Sequence, residues 1–147
     1  AENTGAGANL DALVIEPYAN PFRVYPLVED YEKFKALFDK GVDCYIINTG
    51  DFLGKKVTKE VSLGVIETVV DGKANFELFG GLPGMEYLPV EGYEVPDMNG
   101  EYAELIRDRM QFRLDYLKAF NDANPEHQIP QDALESIKTI ERFIDVL

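Results

Sequence analysis

One cysteine, one histidine and fourteen basic residues are all that this 147-residue chain has of three chemically useful kinds. Cys44 forms no internal disulfide on its own, so nothing in the cysteine usage points to an oxidising compartment, and a cytoplasmic chain is the expectation. One cysteine and one histidine exclude a zinc site of the usual ligand count built from soft donors within one chain. Any metal would have to be a hard cation on carboxylates. His127 lies between Asn124 and Pro130, far in sequence from a serine or cysteine suited to attack, which argues against a nucleophilic triad and for an exposed structural histidine. Fourteen Lys and Arg against 27 Asp and Glu leave a formal charge of −13, so phosphate backbones are repelled and nucleic acid is not an expected partner. The longest apolar stretches fall far short of the ~20 residues of a membrane helix, and no basic leader precedes one, so neither spanning nor targeting is expected.

What is present is ordinary globular chemistry, 46% hydrophobic and 28% charged. A chain of this size can form one domain and withdraw roughly 70% of its unfolded surface from water. It starts at Ala1 rather than at a methionine, and we read it as a piece of something longer. Residues 1–27, with Gly5, Gly7, Pro17, Pro21 and Pro26 around the apolar Leu13–Ile15, predict an irregular arm with one short strand. Tyr31, Phe34, Leu37 and Phe38 recur at helical spacing and predict a helix from about Glu29 to Lys40, stopped by Gly41. The continuous run Cys44–Ile47 suits a strand covered on both faces. Thr58 can cap a second helix bearing Val61, Val65, Ile66, Val69 and Val70, closed by Asp71 and Gly72. Phe76–Phe79 is a further strand candidate, and the glycines and prolines of Gly80–Gly100 predict a long loop pinned by its apolar members. A third helix is expected from about Glu101 to Phe120, where Tyr102, Leu105, Ile106, Met110, Leu114 and Leu117 recur at spacings of three and four, and a fourth from about Gln131 to Asp145. The fold class is therefore α/β or α+β, a small mixed sheet flanked by about four helices.

Little in this order carries chemistry. Glu86, Glu91, Glu94 and Asp97 lack the spacing of a calcium loop, and Arg107, Arg109 and Arg113 are interleaved with Glu104, Asp108 and Asp115 as in surface ion pairing. The best-placed segment is Asn48–Thr58, which follows the expected strand, because ligands of open α/β sheets bind beyond strand carboxyl ends. Gly50 and Gly54 let a ligand approach the backbone, and Lys55 and Lys56 put positive charge on a negative surface. An anionic or nucleotide ligand fits that chemistry, and a plain turn with solvated lysines fits the spacing equally well. The segment is not a phosphate-binding P-loop: its glycines are three residues apart instead of four, and Lys56 stands in the place of the metal-binding hydroxyl residue.

The run Tyr45-Ile46-Ile47-Asn48-Thr49-Gly50, then Gly54-Lys55-Lys56-Val57-Thr58, then the helix Val61 to Asp71, resembles the C-terminal part of ATP-type phosphoenolpyruvate carboxykinases. That family has an apolar strand ending in Asn-Thr-Gly, a short loop, Gly-Lys-Arg-Ile-Ser and an Ile-rich helix. The resemblance covers about residues 21–120, and its central 25 or so are specific. It implies a carboxykinase-like C-terminal domain over 28–120, the arm before it, and a C-terminal helix over 121–147 packed on the same domain. It further implies that Lys55, Lys56, Val57 and Ser62 contribute to the adenine and ribose wall of a nucleotide pocket. Asp51 stands where the family usually has tryptophan, and Lys56 where it has arginine, whose flat guanidinium stacks better on a base. The family's phosphate loop, metal-holding aspartate and histidine, and oxaloacetate-binding arginines have no counterpart here. The partners implied are the N-terminal and central parts of the same protein and an adenine nucleotide, with ATP, Mg²⁺ and Mn²⁺ as cofactors of the complete enzyme and none held tightly by this chain. The alternative is a non-catalytic binding or regulatory module that keeps the fold without the chemistry.

Overall fold

The computed structural model describes residues 15–146. It holds four α-helices and two separate two-stranded antiparallel sheets, in the order α1 (Leu27–Asp39), β1 (Asp51–Phe52), β2 (Lys55–Lys56), α2 (Lys59–Val70), β3 (Glu77–Leu78), β4 (Glu86–Tyr87), α3 (Gly100–Ala123), α4 (Gln131–Ile144). The single mixed sheet expected from sequence is replaced by two local hairpins, so the class is a small α+β arrangement. No helix among the described residues is long and apolar enough to cross a membrane. The short strand expected at Leu13–Ile15 has Leu13 and Val14 outside the described residues.

The described residues group into two compact units, one made of residues up to Asp43 with Met110–Lys138, the other of Cys44–Arg109 with residues from Thr139 onward. In the first, α1 starts at Leu27, two residues earlier than its periodicity suggests, because the Pro26 carbonyl accepts from Glu29 N–H at 3.0 Å and Leu27 is a core residue. Its end is a Schellman turn. Gly41, at φ +74°, lets its N–H reach the Phe38 carbonyl (2.8 Å) while Val42 N–H reaches Leu37 (3.1 Å). Leu27, Leu114, Ile129 and Leu134 form the buried core, with Tyr31, Leu117, Phe120 and Ile137 packed around it. Two polar ties fix its geometry. Asn121 donates to the Ile129 carbonyl (3.0 Å) and accepts from the Ile129 N–H (2.7 Å), and Tyr31 Oη donates to Asp132 (2.9 Å). The α3 helix continues to Ala123, past the expected stop at Phe120, since the restriction imposed by Pro125 falls on Asn124 and leaves residues 121–123 free to stay helical.

The second unit is centred on Leu82, which is wholly buried, with Ala103 and Ile144. Phe79, Met85, Met98, Ile106, Ile140 and Phe143 surround them. Leu82 belongs to the glycine-rich stretch between β3 and β4, whose ends meet where Phe79 N–H donates to the Met85 carbonyl at 2.9 Å. The α2 helix begins as predicted, with Thr58 Oγ1 accepting from Val61 N–H at 3.3 Å. It ends in the same pair of bonds as α1, from Gly72 to Val69 and from Lys73 to Thr68, both 3.0 Å.

A further expectation is overturned. Residues 44–47 form no strand, and Tyr45, Ile46 and Ile47 are exposed, Ile46 completely. Tyr45 stacks on Phe76 with ring centroids 5.6 Å apart. The composition of a buried strand is there, but among the described residues no strand is paired with it.

Candidate functional site

Asn48 ends the apolar run with its own side chain: Oδ1 accepts from Gly50 N–H (2.9 Å) and Nδ2 donates to the Asp51 carbonyl (3.0 Å). That local turn launches β1, which pairs with β2 in the register Asp51↔Lys56 and Phe52↔Lys55. The two residues between the strands, Leu53 (φ +49°) and Gly54 (φ +78°), both take left-handed backbone. Such a primed turn matches the natural twist of a hairpin, and glycine adopts it without strain whereas leucine does not. Val57 N–H then donates to the Gly50 carbonyl at 2.8 Å, closing the hairpin directly against the capped start of α2.

A second segment braces this hairpin. Lys55 Nζ donates to the Gly92 carbonyl at 2.6 Å and sits 4.5 Å from the centre of the Tyr93 ring. Tyr93 Oη donates to the Lys56 carbonyl at 2.7 Å, and the Phe52 ring meets Tyr93 edge-on at 6.3 Å. The 92–93 turn is held by Gly92 N–H donating to Glu94 (3.0 Å) and Tyr93 N–H donating to the Val90 carbonyl (3.0 Å). A Cβ on Gly92 would lie 2.8 Å from Lys55 Nζ, so the absence of a side chain there permits the close approach.

The four residues nominated from sequence are adjacent in space only as neighbours in the chain, and their side chains have different roles. Lys55 is engaged with Gly92 and Tyr93, and Lys56 is exposed at the end of β2. Val57 is buried, and Ser62 Oγ donates back to the Thr58 carbonyl at 3.1 Å within its own helix. Lys56 is thus the one of the four whose charged end faces solvent unassigned to a structural task. Directly across from it in register stands Asp51, an opposite-charge cross-strand pair. Tyr93 was not nominated; its only signal in the sequence is an aromatic residue in a glycine- and proline-rich loop. Among the described residues no group of three or more His, Cys, Asp or Glu side chains is placed to hold a metal ion.

Compared with protein-family models, curated proteins and solved structures, the chain matches none.

Proposed function

We propose that the chain is the C-terminal lobe of an ATP-dependent phosphoenolpyruvate-carboxykinase-like protein, contributing adenine and ribose contacts to an active site that the N-terminal and central parts of the same protein complete. In that whole protein oxaloacetate and ATP are converted to phosphoenolpyruvate, ADP and carbon dioxide with Mg²⁺ and Mn²⁺. The observation that carries the reading is that the apolar run and the helix bearing the resemblance are incompletely covered. Tyr45, Ile46 and Ile47 are exposed, and not one residue of the apolar α2 is buried. A run with buried-strand composition and a helix of mean apolar character fit a sheet whose other strands come from elsewhere in the protein. The braced hairpin between them presents Lys56 beside the start of α2, in keeping with a wall against an anionic nucleotide. Phosphoryl transfer depends on positioned phosphate ligands and metals, and the sequence has no loop of the spacing needed to cradle them. The chain alone is therefore inactive.

A second reading, a binding or regulatory module without the chemistry, is favoured by one specific feature. The two departures from the family pattern, Asp51 and Lys56, are register partners in the hairpin. A carboxylate opposite the lysine weakens its attraction for a phosphate or a base.

Titration of the isotope-labelled chain with ATP, followed by amide chemical shifts, tests the first reading. Shifts are expected to cluster at residues 48–62 and to vanish in Lys56→Glu, while folding stability changes by only ~0.5 kcal/mol, as for ordinary surface sites. The double variant Asp51→Trp with Lys56→Arg is expected to bind ATP more tightly than the native chain. Shifts located elsewhere, or unaffected by Lys56→Glu, would remove the nucleotide wall and leave the second reading. Turnover of oxaloacetate with ATP by the chain alone would contradict both.

A further inference from the structure

The first unit contains a cleft of about 250 Å³ whose walls include Arg23, Tyr25, Leu27, Phe120, Asn124 and His127. Arg23 is rigidly held at its edge. Its Nε donates to Asp30 Oδ2 at 2.7 Å and its Nη2 to the Pro17 carbonyl at 2.6 Å. Asp30 accepts from Tyr25 Oη at 2.7 Å on its other oxygen, and Asn20 Nδ2 donates to that Tyr25 oxygen at 3.2 Å. A guanidinium has five N–H donors in a planar fork, and these two bonds fix it at the cleft wall while using two of the five. An ion pair that served only to tie the segment before α1 to the first turn of α1 would need no concavity beside it. Here the concavity has an apolar side, Leu27 and Phe120, and a polar side at the turn after α3. Asn124 is held there by donating to the Phe120 carbonyl at 2.8 Å, and His127 is exposed at the rim.

We propose that this cleft binds a small organic monocarboxylate, with its carboxylate on the Arg23 N–H groups that Asp30 and Pro17 do not use and near the His127 ring, and its apolar body against Phe120 and Leu27. The planar fork matches a carboxylate in two parallel hydrogen bonds. Its volume, just under the ~300–1,000 Å³ usual for ligand pockets, limits the ligand to a small molecule. The formal charge of −13 disfavours each additional negative charge on a ligand, which selects a monoanion over a phosphate dianion or a dicarboxylate. The inference is independent of the carboxykinase reading, since it uses neither the hairpin nor α2.

Benzoate is the probe, added to the whole isotope-labelled chain, with benzamide as its uncharged counterpart and inorganic phosphate as an anion without an apolar body. Benzoate is expected to give saturable shifts confined to residues 23–31 and 120–127, benzamide and phosphate little. Arg23→Lys keeps a cation beside Asp30 but loses the fork, and is expected to weaken benzoate binding about tenfold. Because Arg23 variants risk unfolding the segment, His127→Glu is the companion; at an exposed turn position it should fold normally and weaken benzoate by placing a negative charge at the rim. The proposal is overturned by an absence of saturable shifts, by equal shifts from benzamide or phosphate, or by unchanged benzoate affinity in a folded Arg23→Lys or His127→Glu chain.

Discussion

Asp30 lies in the first turn of α1 with almost no access to water, a position that an unpaired carboxylate would not hold. The Arg23 hydrogen bond first, then the Tyr25 hydroxyl, lower its pKa below the ordinary carboxylate value, outweighing the opposing effect of burial. A depressed folded-state pKa contributes stability that is present above the unfolded-state value and lost as pH falls through the folded one. Asp30→Asn is therefore expected to lower the urea midpoint at pH 7, with the gap to the native chain narrowing as pH falls below about 4. A gap that stays constant down to pH 2 would mean that the carboxylate's charge is irrelevant. Leu114, nearly without exposure in the first core, offers a contrasting case that no titration affects. Leu114→Ala should cost about 2–5 kcal/mol in denaturant unfolding, the range for emptying a well-packed leucine site. Of these two residues only Leu114 was legible in the sequence, through its helical spacing. Asp30 reads as one more surface acid, because what buries it, Arg23 and Tyr25, comes from an arm with no periodic pattern.

At the level of elements, the helix ends set by local caps were legible, and among the strands only β3 was, inside the Phe76–Phe79 candidate. Thr58, Gly41 and Gly72 act on backbone groups within six residues of themselves, so a local reading finds them. A strand exists only when another chain segment lies beside it, and among the described residues no strand is paired with residues 44–47. The β1–β2 hairpin escaped notice for the opposite reason. Its turn lacks the Asn-Gly signal, carrying Leu53 where asparagine or glycine is preferred. Leu53→Asn is expected to stabilise the chain by about 1 kcal/mol by relieving left-handed strain at an exposed position. Thr58→Ala, in contrast, should destabilise it by ~1 kcal/mol through loss of the α2 cap. Equilibrium urea unfolding measures both, and a Leu53→Asn chain less stable than the native one would show that the leucine side chain contributes packing that outweighs its backbone cost.

For the molecule as a whole, self-repulsion among acidic groups is the dominant long-range term. The visible ion pairs, such as Lys35–Asp39 and Arg107–Asp145, lie largely at the surface, where each contributes only ~0–1 kcal/mol. Raising salt from about 0.01 to 1 M shortens the screening length from roughly 30 to 3 Å and should therefore raise the thermal midpoint, since more repulsion than attraction is removed. A midpoint that falls with sodium chloride would mean that the surface pairs outweigh the net charge. The candidate site was legible only in part at this scale. Lys55, Lys56, Val57 and Ser62 were found by their order along the chain, but Tyr93, which braces the hairpin, is 37 residues from the Lys56 carbonyl that it holds. Distance along the chain also hid the cleft beside Arg23, whose other wall comes from Phe120 and Asn124.

The bare run Tyr45–Ile47 has a consequence for the life of the chain in a cell. Extended apolar segments of this kind are what holding chaperones grip and what templates misassembly between copies, and a chain that displays one is triaged toward proteolysis. Ile46→Lys, which puts a charge in the middle of the run, is then expected to lengthen the half-life of the polypeptide in a pulse-chase measurement, and an unchanged half-life would mean that the run is not what the cell recognises.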